Sequence, residues 1–211
     1  MKIFVPGRIC LLGEHSDWAG GYRRINANIE KGFALITGTN QGIYAEVEPH
    51  PTALVLTSTT PDGVTHGPYE IPMELSALLA EAQRGGFFSY AAGVAYQVLT
   101  HYRVRGLTIN NYQTDLPVKK GLSSSAAISV LTARAFNRVY DLKMTVRGEM
   151  EMAYQGEITT PSRCGRMDQG CAFGSRPVLM TFDGERLDTT EIQVGAEMYF
   201  VIVDLQAEKD T

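Results

Sequence analysis

Residues 116–136 read LPVKKGLSSSAAISVLTARAF, and they join an extended segment to a helix through a loop of small, polar residues. Pro117 disfavours helix at the residue before it, so the chain arrives extended. Gly121 permits a tight backbone, and Ser123, Ser124 and Ser125 then open a helix whose first turn carries Ala126 and Ala127. A helix start leaves unpaired N–H groups and a partial positive charge of about half a unit. Serine hydroxyls add donors there, and small side chains let a polyanion approach the backbone. One serine is enough to cap a helix. Three in a row followed by two alanines exceed that need, so the segment reads either as a phosphate cradle or, more plainly, as a serine-rich cap. No Gly-Lys-Ser order closes it, which excludes a Walker A loop.

On either side of this loop the chain alternates short strands with helices. Strands are expected over 2–5, 8–12, 42–48, 53–58 and 106–112, each rich in Val, Ile, Leu or Tyr. Three more follow over 178–183, 187–193 and 198–204, with Gly184 as the turn of a hairpin. Helices are expected over 89–102 with Ser89 as N-cap, over 124–140, and over 146–157 with Thr145 as N-cap. Ile128, Leu131, Ala135 and Val139 share one face of the second helix. The alternation indicates an α+β domain. No Gly/Ser/Pro-rich linker divides it, but the late strands follow the last helix and place a boundary near residue 175.

A chain of 211 residues has room for one substantial core, or one domain plus part of another. Its 44% hydrophobic and 20% charged residues are those of an ordinary globular protein. No apolar run reaches the roughly 18 residues of a membrane span. Pro6, Gly7 and Arg8 break the N-terminal segment before it can serve as a signal peptide, so a cytoplasmic protein is expected. A net charge of −4 gives no electrostatic reason to expect nucleic acid. Cys10, Cys164 and Cys171 have neither the count of a disulfide framework nor the spacing of a zinc site, and read as reduced thiols.

Two further segments carry chemistry. PGRICLLGEHSDWAGG, residues 6–21, puts Arg8 on a strand and then Glu14, His15 and Asp17 in one turn. Carboxylates and histidine accept hydrogen bonds from hydroxyls, which suits a polyol; the plainer alternative is a polar turn with Arg8 in a salt bridge. Met150, Ala153, Tyr154 and Glu157 follow helical i, i+3, i+4, i+7 spacing, which sets Glu157 on an apolar face. An unpaired carboxylate there is costly, so it needs an arginine, a lysine or a metal, or else reaches water at the helix end. Eleven positions later Asp168 stands in RCGRMDQGCAFG, between Gly165 and Gly170, in a tight loop.

These segments together resemble the GHMP kinases. PVKKGLSSSAA is similar to the second signature of that family, Pro-x-x-x-Gly-Leu-(Ser/Gly)-Ser-Ser-Ala, with Lys119 and Lys120 where many galactokinases carry glycine. PGRICLLGEHSDWAGG resembles the galactokinase form of the first signature, and CGRMDQ resembles the galactokinase Cys-Gly-x-Met-Asp-Gln. Cys10 stands for the usual asparagine and Trp18 for the usual tyrosine, and the chain departs from galactokinases through YRRINANIEKG. The resemblance implies a GHMP-kinase N-terminal domain of the ribosomal protein S5 domain 2-like fold over 1–175. It also implies the first strands of an incomplete C-terminal domain over 176–211, without the family's third, glycine-rich motif. By the same resemblance Lys120, Gly121, Leu122, Ser123, Ser124, Ser125 and Ala126 wrap the phosphates of ATP. Arg8 lies near the transferring phosphate and Asp168 beside the acceptor hydroxyl. Glu14, His15 and Asp17 contact the acceptor, and Glu157 with Ser125 holds Mg2+. Mevalonate kinases share Gly-Glu-His but lack the following aspartate, so Asp17 favours a monosaccharide. The implied activity is ATP-dependent phosphorylation of a hydroxyl, with a non-sugar alcohol such as mevalonate, or a non-catalytic sugar sensor, as alternatives.

Overall fold

The computed structural model describes residues 1–116 and 122–197, together with 199, 201 and 203. Its sheet is organised by two long strands, β1 (Lys2–Leu12) and β2 (Gly32–His50). They pair antiparallel along their length, from Lys2 opposite Glu46 to Leu12 opposite Leu35. The sequence suggests two strands in place of β1. The structure has one, with a register shift between Pro6 and Arg8. Proline has no N–H for the ladder, and a bulge lets the strand continue past it.

On its other edge β2 pairs with β5 (Gly106–Thr114) through 43–50 and with β6 (Val178–Asp183) through 32–36. Beyond β5 lie β3 (Ala53–Thr59), parallel to it, and β4 (Thr65–Pro72). Beyond β6 lies β7 (Arg186–Glu191), giving the order β4-β3-β5-β2-β6-β7. The middle of β2 carries turn-like residues, Gly38-Thr39-Asn40-Gln41-Gly42, and sequence pattern alone starts the strand only at residue 42. Packing keeps it extended: the Gly38 N–H donates to the Gly174 carbonyl at 3.1 Å. A Cβ at Gly38 would lie 2.3 Å from that carbonyl oxygen, so only glycine fits.

Three helices, α3 (Ser89–His101), α4 (Ser124–Val139) and α5 (Val146–Ile158), match the expected ones to within a residue. Their apolar faces meet one face of the sheet, burying Val94, Val98, Leu131, Phe136, Met150 and Ala153 against Ile36, Ile43, Leu107 and Ile109. Thr145 caps α5, its hydroxyl accepting from the Gly148 N–H at 3.1 Å. Ser89 does not cap α3; it is the first helical residue and is buried, and Phe88 takes the cap position. Two short helices and one strand escape the sequence pattern: α1 (Ser16–Gly21), α2 (Leu75–Arg84) and β4. β4 contains Gly67, Pro68 and Pro72, residues that read as turn, and it survives because it lies at the edge of the sheet.

Gly184 turns the β6–β7 hairpin with φ 64°. β6 hydrogen-bonds to β2, so residues 178–191 continue the same sheet past the boundary set near 175. The strand expected over 198–204 falls largely outside the described residues. Among the described residues no helix is long and apolar enough to cross a membrane.

Candidate active site

The start of α4 is held by β1 and by the loop that follows α5. The Leu122 carbonyl accepts from the Arg8 N–H at 3.2 Å, which ties the serine segment to the strand beside it. Ser123 takes the N-cap position in a left-handed conformation, φ 55° and ψ 50°. Its hydroxyl does not cap the helix but donates to Asp168 Oδ1 at 2.9 Å. The same Asp168 oxygen receives a hydrogen bond from the Arg8 guanidinium, which also donates to Glu14 Oε2 at 3.3 Å. Asp168 sits in a short 3-10 helix (Asp168–Phe173) packed against β1 and α4.

Arg8 is only 4% exposed through its side chain. Burial by itself would lower its pKa, but the Asp168 charge and hydrogen bond outweigh that and hold it above the ordinary arginine value. Arg8 therefore stays cationic. Its Nε has no hydrogen-bond partner among the described residues.

In the last turn of α5, Glu157 is 1% exposed. The sequence asks for a cation at this carboxylate, yet no arginine or lysine among the described residues pairs with it. Neutral groups serve instead: Gln169 Nε2 donates to Oε2 at 2.8 Å, and the Ser125 hydroxyl also hydrogen-bonds the carboxylate. Burial pushes the Glu157 pKa up to about 7 in spite of both hydrogen bonds. A buried carboxylate beside a serine hydroxyl is a pair of hard oxygen donors, which fits a magnesium ion completed by phosphate oxygens and water. Among the described residues no cluster of three or more His, Cys, Asp or Glu side chains is arranged as a metal site, so an all-protein cage is not on offer.

The third part is the turn after β1. His15 stands before α1 in a left-handed conformation, φ 66°, and with Ser123 it gives two strained non-glycine residues at the two helix starts facing the site. Such strain is costly and persists where the surroundings enforce it. The Asp17 carboxylate accepts from the Met167 N–H at 3.2 Å and the Trp18 N–H at 3.0 Å. Burial raises its pKa, and those two backbone bonds oppose the rise. The loop carrying Asp168 is thus locked to the turn carrying Asp17 across 150 residues of sequence.

Gly165 makes this fit possible, since a Cβ there would lie 1.7 Å from Asp17 Oδ2. Gly165→Ala should therefore displace the Asp17 carboxylate and weaken whatever it binds. We expect a loss of roughly 10-fold or more in affinity for a ligand held by Asp17, from one broken charge-assisted bond. The chain should stay folded, and a thermal melt run beside the binding measurement checks this. Unchanged ligand affinity would show that Asp17 plays no part.

All three parts open on one cleft of about 750 Å3, lined by Glu14, His15, Asp17, Leu122, Ser123, Ser124, Ser125, Glu157 and Asp168 among others. Residues 89–175 match the family model described as the GHMP kinases N terminal domain. That match spans α3, α4 and α5 and marks this part of the chain as similar to a GHMP kinase N-terminal domain. The chain is 28% identical to a galactokinase of Thermotoga petrophila over 202 residues, covering 94% of this chain and 51% of that protein. It superimposes on the Lactococcus lactis galactokinase complexed with galactose with a TM-score of 0.69 at 20% identity, covering 90% of this chain and 46% of the other. The Methanococcus jannaschii mevalonate kinase has the same fold, with a TM-score of 0.66 at 16% identity over 89% of this chain and 55% of that one. The chain spans about half the length of the curated relatives it matches.

Arg8 reaches the cleft through its partners Asp168 and Glu14. Ala126 is fully buried beneath the helix start. Lys120 and Gly121 lie outside the described residues. Several lining residues carry no sequence motif. Phe87 is half exposed and stacks on His66 with ring centroids 4.3 Å apart. Tyr90, Asn111 and Arg163 also line the cleft. Gln169 lies in the Asp168 motif, and its hold on Glu157 is visible only in three dimensions.

Proposed function

We propose that this chain binds magnesium-ATP and directs its terminal phosphoryl group to a hydroxyl of a small molecule, most favourably a monosaccharide. The observation that carries the reading is the Arg8–Asp168–Ser123 cluster, which joins the serine-rich helix start to the loop that holds Asp17.

Phosphoryl transfer asks little covalent chemistry of a protein; positioning and charge neutralisation do most of it. The N–H groups at the start of α4 and the hydroxyls of Ser124 and Ser125 receive the phosphates. Asp168 accepts or orients the proton of the attacking hydroxyl, and Arg8 fixes that carboxylate in place through its hydrogen bond. Glu157 and Ser125 would hold magnesium, which when bound neutralises phosphate charge. Glu14, His15 and Asp17 contact the acceptor, and a pair of carboxylates with an imidazole suits adjacent hydroxyls. The exposed face of Phe87 suits the nucleotide base.

Calorimetric titration of magnesium-ATP into wild type and Ser125→Ala tests the phosphate side. Affinity should fall roughly 10–100-fold, the worth of one hydrogen bond to a charged group. Equal affinities in two well-folded proteins would remove the phosphate-cradle reading. ATP turnover by the whole protein with a panel of monosaccharides then tests the acceptor side, and turnover only with a non-sugar alcohol would redirect it.

A further inference from the structure

We infer that Arg163 recognises an anionic group on the acceptor, so that the preferred substrate is a sugar acid or a sugar phosphate rather than a neutral sugar; this rests on the kinase reading above. Arg163 is the one arginine or lysine among the described residues that lines the cleft. Every carboxylate that lines the cleft with it is already engaged. Asp17 accepts from two backbone N–H groups, Asp168 from Arg8 and Ser123, Glu14 from Arg8, and Glu157 from Gln169 and Ser125. Arg163 pairs with none of them. Among the described residues its planar fork of five donors, on an exposed side chain, has no carboxylate partner, and that fork matches a carboxylate or a phosphate.

The loop bearing Arg163 is fixed on both sides of it. Before it, Pro161 lies against Gly85, the Ser162 N–H donates to Thr160 Oγ1 at 3.1 Å, and the Ser162 side chain hydrogen-bonds Tyr90. After it, Cys164 turns inward to Gln169, and Gly165 abuts Asp17. Two residues of extended chain span at most about 7 Å, so Arg163 starts no farther than that from the position against Asp17. An arginine held there can reach a substituent of the molecule that Asp17 contacts. The three carboxylates Glu14, Asp17 and Asp168 would repel an anion placed among them, so the anionic substituent points towards Arg163 and the reacting hydroxyl towards Asp168. The geometry orients the acceptor as well as selecting it.

Initial rates test this on the whole protein with ATP and three acceptors: a hexose, the corresponding hexuronic acid and the hexose 1-phosphate. Wild type should prefer one of the two anions, and which one distinguishes a carboxylate from a phosphate site. Arg163→Ala should raise the KM of that anion roughly 10–100-fold and leave the KM of ATP within about twofold. Arg163→Lys keeps the charge but loses the fork, and should recover part of the loss. A wild type that prefers the neutral hexose, or an Arg163→Ala protein with an unchanged acceptor KM, overturns the inference and leaves the kinase reading standing. An increase in the ATP KM with every acceptor assigns Arg163 to the nucleotide and overturns it too. Absence of both phosphoryl transfer and ATP binding by calorimetry overturns the kinase reading, and this inference with it.

Discussion

Asp168→Asn is expected to lose turnover by roughly 10²–10⁴, the range typical of removing a general base, while still folding and binding ATP. Asparagine keeps the size of the side chain and one oxygen that can accept from Arg8 and Ser123, so the cluster retains its shape. What disappears is the negative charge and almost all of the basicity. Arg8 keeps Glu14 as a counter-charge, at 3.3 Å, so the guanidinium is not left wholly uncompensated in a buried position. Some stability should still be lost, since Asp168 is the closer and less exposed of the two partners. The measurement is steady-state turnover of the whole protein with its best acceptor, alongside the melting temperature and the ATP affinity. Turnover near the wild-type value in a stable Asp168→Asn protein would make this residue structural and return the catalytic assignment to nothing.

Glu157→Gln should abolish a pH dependence of stability that wild type shows. A carboxyl titrating near 4.5 in the unfolded chain and about 7 in the folded one binds its proton more tightly when folded. Its contribution is therefore fully present below about pH 4.5 and is lost as the pH rises through about 7. A shift of this size corresponds to roughly 3 kcal/mol across that window, at about 1.4 kcal/mol for each pH unit. Urea unfolding of the protein free of nucleotide and metal, at intervals from pH 4.5 to 8, reads it directly. The glutamine variant should gain on wild type as the pH rises, because it keeps the hydrogen-bonding size of a protonated glutamate without the charge. Parallel curves for the two proteins would mean that Glu157 is solvated or compensated in a way its burial does not suggest. Calcium-free, magnesium-containing buffer offers a second reading: a divalent ion that binds Glu157 and Ser125 should stabilise wild type above pH 7 and leave Glu157→Gln unmoved.

Both predictions depend on groups named from sequence and brought together only by folding. The helix starts were legible because their causes are local: Thr145 caps α5 with its own hydroxyl, and small residues after Gly121 announce the start of α4. The apolar side of α5 was legible too, with Glu157 on it, but only the packed structure shows that this carboxylate is buried rather than reaching water at the helix end. β2 was only half legible. Its first half owes its extended form to β1, β6 and the Gly174 carbonyl rather than to its own residues. Strand propensity is a weak prior where neighbours supply the hydrogen bonds.

Sequence by itself determined which chemical groups are present and in what order: a serine-rich helix start, a guanidinium on the first strand, two acidic side chains eleven positions apart, and a polar turn after β1. It also determined the α+β class, since periodicity and caps are properties of short windows. Tertiary structure alone decided which groups meet. Ser123 looks like a cap and instead donates to Asp168, 45 residues away. Glu157 looks as if it needs a cation and is met by Gln169 and Ser125. Asp17 looks free in its turn and is locked to Met167 behind Gly165. The reason is that a hydrogen-bonding side chain has many partners of equal intrinsic strength. Which one it takes is settled by the packing of β1, α4 and α5 against one another, and no local window contains that information.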